Sequence, residues 1–77
     1  MHDPDATPRP TYTRHARERM AERHISDAEV EDVLANFHTS YTDRDGNPIY
    51  IGRSAGRRIK VVAGKDSTPP HIIAAAD

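Results

Sequence analysis

Two histidines and four basic side chains in this sequence have the chemistry to handle a phosphodiester without a metal. His15, Arg19 and Arg23 follow one another at i, i+4 spacing, along the edge of an apolar stripe that Tyr12, Ala16 and Met20 make on a helical wheel. Farther on, Arg58 and Lys60 alternate with Ile59 and Val61, and His71 follows the pair Pro69-Pro70. Cleaving RNA without a metal needs a base at the 2′-hydroxyl, an acid for the departing 5′-oxygen, and cations around the phosphorane-like transition state. Histidine suits either proton role, because its unperturbed pKa lies near neutrality. Arginine suits the third through preorganised, often bidentate, contact with phosphate oxygens. On this chemistry His15, Arg19 and His71 are the candidate catalytic residues, and Arg23, Arg58 and Lys60 the candidate RNA or phosphate binders.

Each of these residues also has a structural use. Arg19 is within helical reach of Glu18 and Glu22. Arg23 is placed to bond the acidic segment that follows and hold a helical hairpin together. His15 can be a packing residue bonded to backbone. Arg58 and Lys60 can guard a sheet against aggregation, and His71 can be a strand-edge residue. Other chemistries have less support. His15, His24, His38 and His71 include no i, i+4 pair and the chain has no cysteine, so no metal site and no disulfide are expected. P-loop, dinucleotide and nucleophile-elbow signatures are absent, so no cofactor is expected. Tyr12, Tyr41 and Tyr50 are too scattered for a single-strand stacking platform.

The elements that must position these side chains are legible in turn. Residues 1–11 carry Pro4, Pro8 and Pro10 among polar spacers and read as a flexible arm. A first helix is predicted from Arg14 to His24, with Thr13 as its N-cap and Ile25 in the corner after it. Ser26-Asp27-Ala28-Glu29 is a capping-box match that starts a second helix, with Val30, Val33, Leu34 and Phe37 at i, i+3, i+4, i+7. Its acids Asp27 and Glu29 complement the helix dipole, so capping and solvation account for them. After Phe37 the period changes to two. Strands are predicted at Thr39–Thr42, Pro48–Gly52, Arg57–Ala63 and His71–Ala75, with turns at 43–47 and 54–56 and a loop from Gly64 to Pro70. Short connections favour an antiparallel meander. The expected fold is therefore α+β: two N-terminal helices on one face of a four-stranded antiparallel sheet, formed by residues 12–77 as a single domain.

Composition narrows the class. Of 77 residues 35% are hydrophobic, and ten of those are alanines, so the core is thin enough for a homodimer or a partner chain to complete it. With no signal peptide and no long apolar run, a cytoplasmic protein without a membrane segment is expected. Net charge is −1, but it is segregated. Residues 14–23 hold four arginines against two glutamates, 27–32 hold four acids and no base, and 53–65 hold five bases and no acid. Two basic segments flanking an acidic one can converge on a basic face.

The string His15-Ala16-x-x-Arg19-Met20-x-x-Arg23-x-Ile25, then a capped acidic helix and β-strands, resembles a small bacterial family of uncharacterised domains. That family is usually placed with the RelE/ParE toxin superfamily, the toxins of type II toxin–antitoxin pairs. The resemblance covers residues from about Tyr12 to Ala76. It implies a RelE-like sheet whose face, with the neighbouring helices, engages RNA on the ribosome or a related target, and a cognate antitoxin protein as partner. Members of that superfamily differ in activity: RelE-type members act as nucleases, which here would be a metal-independent endoribonuclease, ParE-type members act on gyrase, and some have no known activity. The basic and tyrosine residues common at the C-terminus of RelE-type nucleases have no counterpart in Ile72-Ile73-Ala74-Ala75-Ala76-Asp77. The alternative is a non-catalytic interaction module of the same fold that binds an acidic protein partner.

Overall fold

Thr13 and Ser26 start the two helices, and their side chains show why. In the computed structural model, which describes residues 9–77, the Thr13 hydroxyl accepts the Ala16 N–H at 3.0 Å and opens α1 (Arg14–Arg23). The helix closes on His24, which takes a left-handed conformation (φ 55°), while the Ile25 N–H returns to the Met20 carbonyl at 2.8 Å. That turn buries Ile25 in the corner, as its sequence position suggested. The Ser26–Glu29 capping box is formed reciprocally, with Glu29 N–H to Ser26 Oγ at 3.1 Å and Ser26 N–H to Glu29 Oε1 at 3.0 Å. It begins α2 (Asp27–Asn36). Phe37 is the extended C-cap of α2, not its last apolar rung, and it stays 41% exposed.

The sheet corrects the expected topology. Among the described residues it has five strands in the order β1-β5-β4-β3-β2, and it is mixed, not a four-stranded antiparallel meander. The strands β2 (Thr39–Thr42), β3 (Pro48–Ser54), β4 (Arg57–Ala63) and β5 (His71–Ala76) are consecutively antiparallel. The addition is β1 (Thr11–Tyr12), which lies parallel to β5 with Thr11 beside His71 and Tyr12 beside Ile72. The outer edge of β5 has backbone groups that need partners. Thr11 N–H bonds to Pro70 O at 3.0 Å and Thr13 N–H to Ile72 O at 2.9 Å, immediately before α1 begins. Tyr12 thus reaches the apolar stripe from a strand, not from the helix. Of the expected arm, residues 1–8 lie outside the described residues, and Thr11 belongs to the sheet.

Both helices lie against one face. Ala16 and Met20 of α1 and Val30 and Val33 of α2 pack with Ile59, Val61, Ala63 and Ile72 of the sheet. Burying each large member stabilises the fold by about 1.5–3 kcal/mol. Gly52 marks the closest approach: a Cβ there would stand 3.2 Å from Phe37 Cα and 3.5 Å from the Asn36 carbonyl. The glycine that suggested a strand end is instead the seat of α2, and β3 continues to Ser54. Alternation turns Tyr50 towards the helices and Ile49 and Ile51 away. Those two isoleucines join Val62 in a second buried cluster on the helix-free face, with Ile73 and Ala74 packed beside it.

Candidate functional site

The helix-free face of the sheet carries three cations on adjacent strands. Arg53 of β3 and Arg58 of β4 are direct cross-strand partners, and Lys60 sits two residues on from Arg58, opposite Ile51. All three are exposed, and among the described residues none of them forms a salt bridge. Like charges placed directly opposite across an antiparallel pair destabilise a sheet. A pair of arginines in that register is a cost that packing does not explain.

A groove of about 510 Å³ runs beside these cations, lined by Tyr41, Ile51, Arg58, Lys60, Ala76 and Asp77. Tyr41 projects from β2 on the same face and is 49% exposed. The groove therefore combines an aromatic ring, an apolar floor and two cationic heads. Its one carboxylate, Asp77, is drawn to the rim by Arg57 Nη1 at 3.2 Å and Arg23 Nη1 at 3.8 Å.

The helix layer is the opposite case, because every arginine of α1 has an acid partner. Arg14 pairs with Glu18 at 3.2 Å and Arg19 with Glu22 at 3.5 Å. Arg17 forms a two-pronged contact with Asp27 while its guanidinium lies 3.9 Å from the centre of the Tyr12 ring. Hydrogen bonding from Arg17 holds the Asp27 carboxyl below its ordinary value. Burial raises the Tyr12 phenol, helped by Asp27 and Glu31, and its hydroxyl is without a hydrogen-bond partner among the described residues. Arg57 is the centre of this layer. It donates to both oxygens of Glu29 at 3.2 Å, to Arg23 O at 2.9 Å, to His24 O and to Asp77. The Ser26 N–H, and next Arg57, hold the Glu29 carboxyl low.

A family model described as a domain of unknown function, DUF4258, matches residues 12–77. The chain belongs to the DUF4258 family. No curated protein and no solved structure matches it.

In this DUF4258 domain the residues singled out from sequence fall into two groups on opposite sides of the sheet. Arg58 and Lys60 share the groove, as the alternation in β4 required. His15, Arg19 and Arg23 are exposed on α1, in the helix layer. Arg23 reaches Asp77, not the acidic helix, and the bond to that helix is made by Arg57. His71 lies on the helix-free side, where its Nδ1 is hydrogen-bonded to Thr11 Oγ1 at 2.7 Å. It sits five residues along β5 from Ala76, the cross-strand neighbour of Lys60, a span of about 16 Å at 3.3 Å per residue. His15, Arg19 and His71 are therefore not one constellation. Tyr41 completes the groove, and Arg53 stands beside it as the cross-strand partner of Arg58. The Arg53–Arg58 register, a long-range fact, is what brings out Arg53, and burial pattern alone brings out Tyr41.

Among the described residues no group of three or more His, Asp or Glu side chains is placed to hold a metal ion, and no helix is long and apolar enough to cross a membrane.

Proposed function

We propose that this domain is a RelE/ParE-like, toxin-type module that engages single-stranded RNA through the helix-free face of its sheet. The observation that carries the reading is the set Arg53, Arg58 and Lys60, three cations without acid partners among the described residues, beside an exposed tyrosine. Arg53, Arg58 and Lys60 each take one phosphate, and Tyr41 stacks a base. Positive charge on one face, with aromatic exposure in the same groove, is the pattern that backbone-directed single-strand binding requires. The resemblance of the α1 string to the toxin superfamily supports the same target class. Binding comes first in this reading, because the two candidate proton carriers stand on opposite sides of the sheet. The test is fluorescence anisotropy with a short single-stranded RNA, joined to growth measurements on induced expression. Arg58→Gln with Lys60→Gln abolishes both binding and growth arrest. His15→Ala leaves binding intact, and its effect on RNA cleavage decides whether chemistry is present.

A second reading has one observation in its favour. The apolar cluster of Ile49, Ile51 and Val62 adjoins the same cations. An amphipathic acidic segment of an antitoxin, folding as it binds, would satisfy both features. Competition between such a peptide and RNA for one face distinguishes it.

A further inference from the structure

Among the described residues the sheet ends on one side at β2, whose outer backbone edge has no partner strand. The Asp43 N–H bonds to the Asn47 carbonyl at 3.0 Å, which makes 43/47 a hydrogen-bonded position of the β2–β3 ladder. Alternation assigns 41/49 and 39/51 to the same class, so the N–H and C=O groups of Ser40 and Thr42 point outward. Edge strands are normally blunted by lysine, proline or an inward charge. Thr39-Ser40-Tyr41-Thr42 has none of these, and all four residues are exposed. The two large hydrophobic side chains exposed among the described residues, Phe37 and Tyr41, both flank this edge. The Phe37 ring lies 5.0 Å from that of Tyr50 on the helix side, whereas Tyr41 stands on the open side. Unpaired backbone, absence of charge and apolar exposure on both faces coincide here.

We propose that a second copy of this chain pairs with β2 through its own β2, antiparallel about a two-fold axis normal to the sheet. Such an axis keeps the helices of both copies on one side and pairs residues that face the same way. Centred on Tyr41, it sets Ser40 against the partner's Thr42 and Thr42 against the partner's Ser40. The outward-pointing groups of each copy then meet reciprocally. Tyr41 meets the partner's Tyr41 at a non-hydrogen-bonded position, where Cα atoms approach to about 4.5 Å and aromatic pairs add stability. The strand is neutral, so its own image opposes no like charges within it. The joined sheets present one continuous open face, with a pair of tyrosines between two sets of Arg53, Arg58 and Lys60. Across five strand spacings the two β4 strands lie about 24 Å apart. Only this last consequence, a doubled RNA-binding face, rests on the function proposed above.

The full chain tests the pairing without RNA. Light scattering behind size exclusion, at high micromolar concentration, gives twice the 8.6 kDa chain mass. Ser40→Pro removes an outward N–H and leaves the β3 ladder its donors, so that variant elutes at the single-chain mass with an unchanged circular dichroism spectrum. The chain has no cysteine. Tyr41→Cys therefore introduces a lone thiol at a separation suited to a disulfide, and it cross-links on air oxidation, whereas Ala35→Cys on the exposed side of α2 does not. A wild-type mass of one chain overturns the proposal. A dimer that survives Ser40→Pro and does not cross-link through Tyr41→Cys overturns it equally. A dimer that fails to bind RNA overturns the RNA reading and leaves the pairing standing.

Discussion

Arg57 and Arg58 are neighbours in sequence on opposite sides of the sheet, and replacing each by alanine separates structural support from the proposed binding. The Arg57 side chain is 31% exposed, and its partner Glu29 is only 16% exposed. Its guanidinium also closes the C-terminal end of α1 through the carbonyls of Arg23 and His24. Loss of a partly buried ion pair costs about 1–1.5 kcal/mol once screening by the exposed third is allowed for. Loss of a cation at a helix C-terminus costs about 1 kcal/mol more. Arg57→Ala should therefore destabilise the domain by about 2–2.5 kcal/mol, which for a chain of this size lowers Tm by roughly 8–20 °C. Arg58 makes no salt bridge among the described residues, so Arg58→Ala should change stability by no more than about 0.5 kcal/mol. Arg57→Lys should recover only part of the loss, because an ammonium cannot address Glu29 and two carbonyls with one planar fork. Thermal melts by circular dichroism at pH 7, backed by urea titration, measure all three. A drop below about 0.5 kcal/mol for Arg57→Ala, or equal drops for the two alanine variants, would refute the assignment of structural and functional arginines to the two sides of the sheet.

Acid should act through Asp27, Glu29 and Asp43, whose folded-state values are held below the ordinary carboxyl range by Arg17, by the Ser26 N–H and by the Asn47 N–H respectively. A depressed folded value means that the unfolded chain binds protons more readily, so the contribution is complete above about pH 5 and is lost progressively as pH falls below it. Urea midpoints measured between pH 5 and pH 2 should show that fall, and Asp27→Asn combined with Glu29→Gln should flatten it. Gly52→Ala should destabilise by about 1–2 kcal/mol, because the added methyl meets the backbone of Phe37, which cannot rotate aside. A neutral result by chemical denaturation would place α2 farther from β3 than 3.2 Å allows.

Local signals carried much of the architecture. The Ser26–Glu29 box, the apolar spacing from Val30 to Leu34 and the change of period after Phe37 are properties of neighbouring residues, and each appears where the sequence puts it. The alternation in β4 likewise sent Arg58 and Lys60 to the face opposite Ile59 and Val61. What escaped was set by partners far along the chain. β1 is two residues long, and its existence depends on the free edge of β5, sixty residues later. Gly52 resembles a strand end until α2 is laid across it. Arg57 acquires its role from Glu29, Asp77 and two helix carbonyls, none of which its sequence neighbours reveal. The candidate ladder on α1 was legible as a pattern, and so was Glu22 within reach of Arg19, but the acid that meets Arg23, Asp77, shows only in three dimensions. Cross-strand register, which raises Arg53 and Tyr41 beside Arg58 and Lys60, is equally non-local.

Salt-dependent anisotropy titration of a short single-stranded RNA shows whether the cations of the helix-free face bind RNA phosphates. Three phosphate contacts at about 0.7 released counterions each give a slope of log K against log salt of about −2. Arg58→Gln should reduce that slope by about 0.7 and weaken binding without a change in Tm, while Arg19→Gln, on the far side of the sheet, should leave both slope and affinity as they are. A loss of binding in Arg19→Gln with Arg58→Gln unaffected would contradict the account.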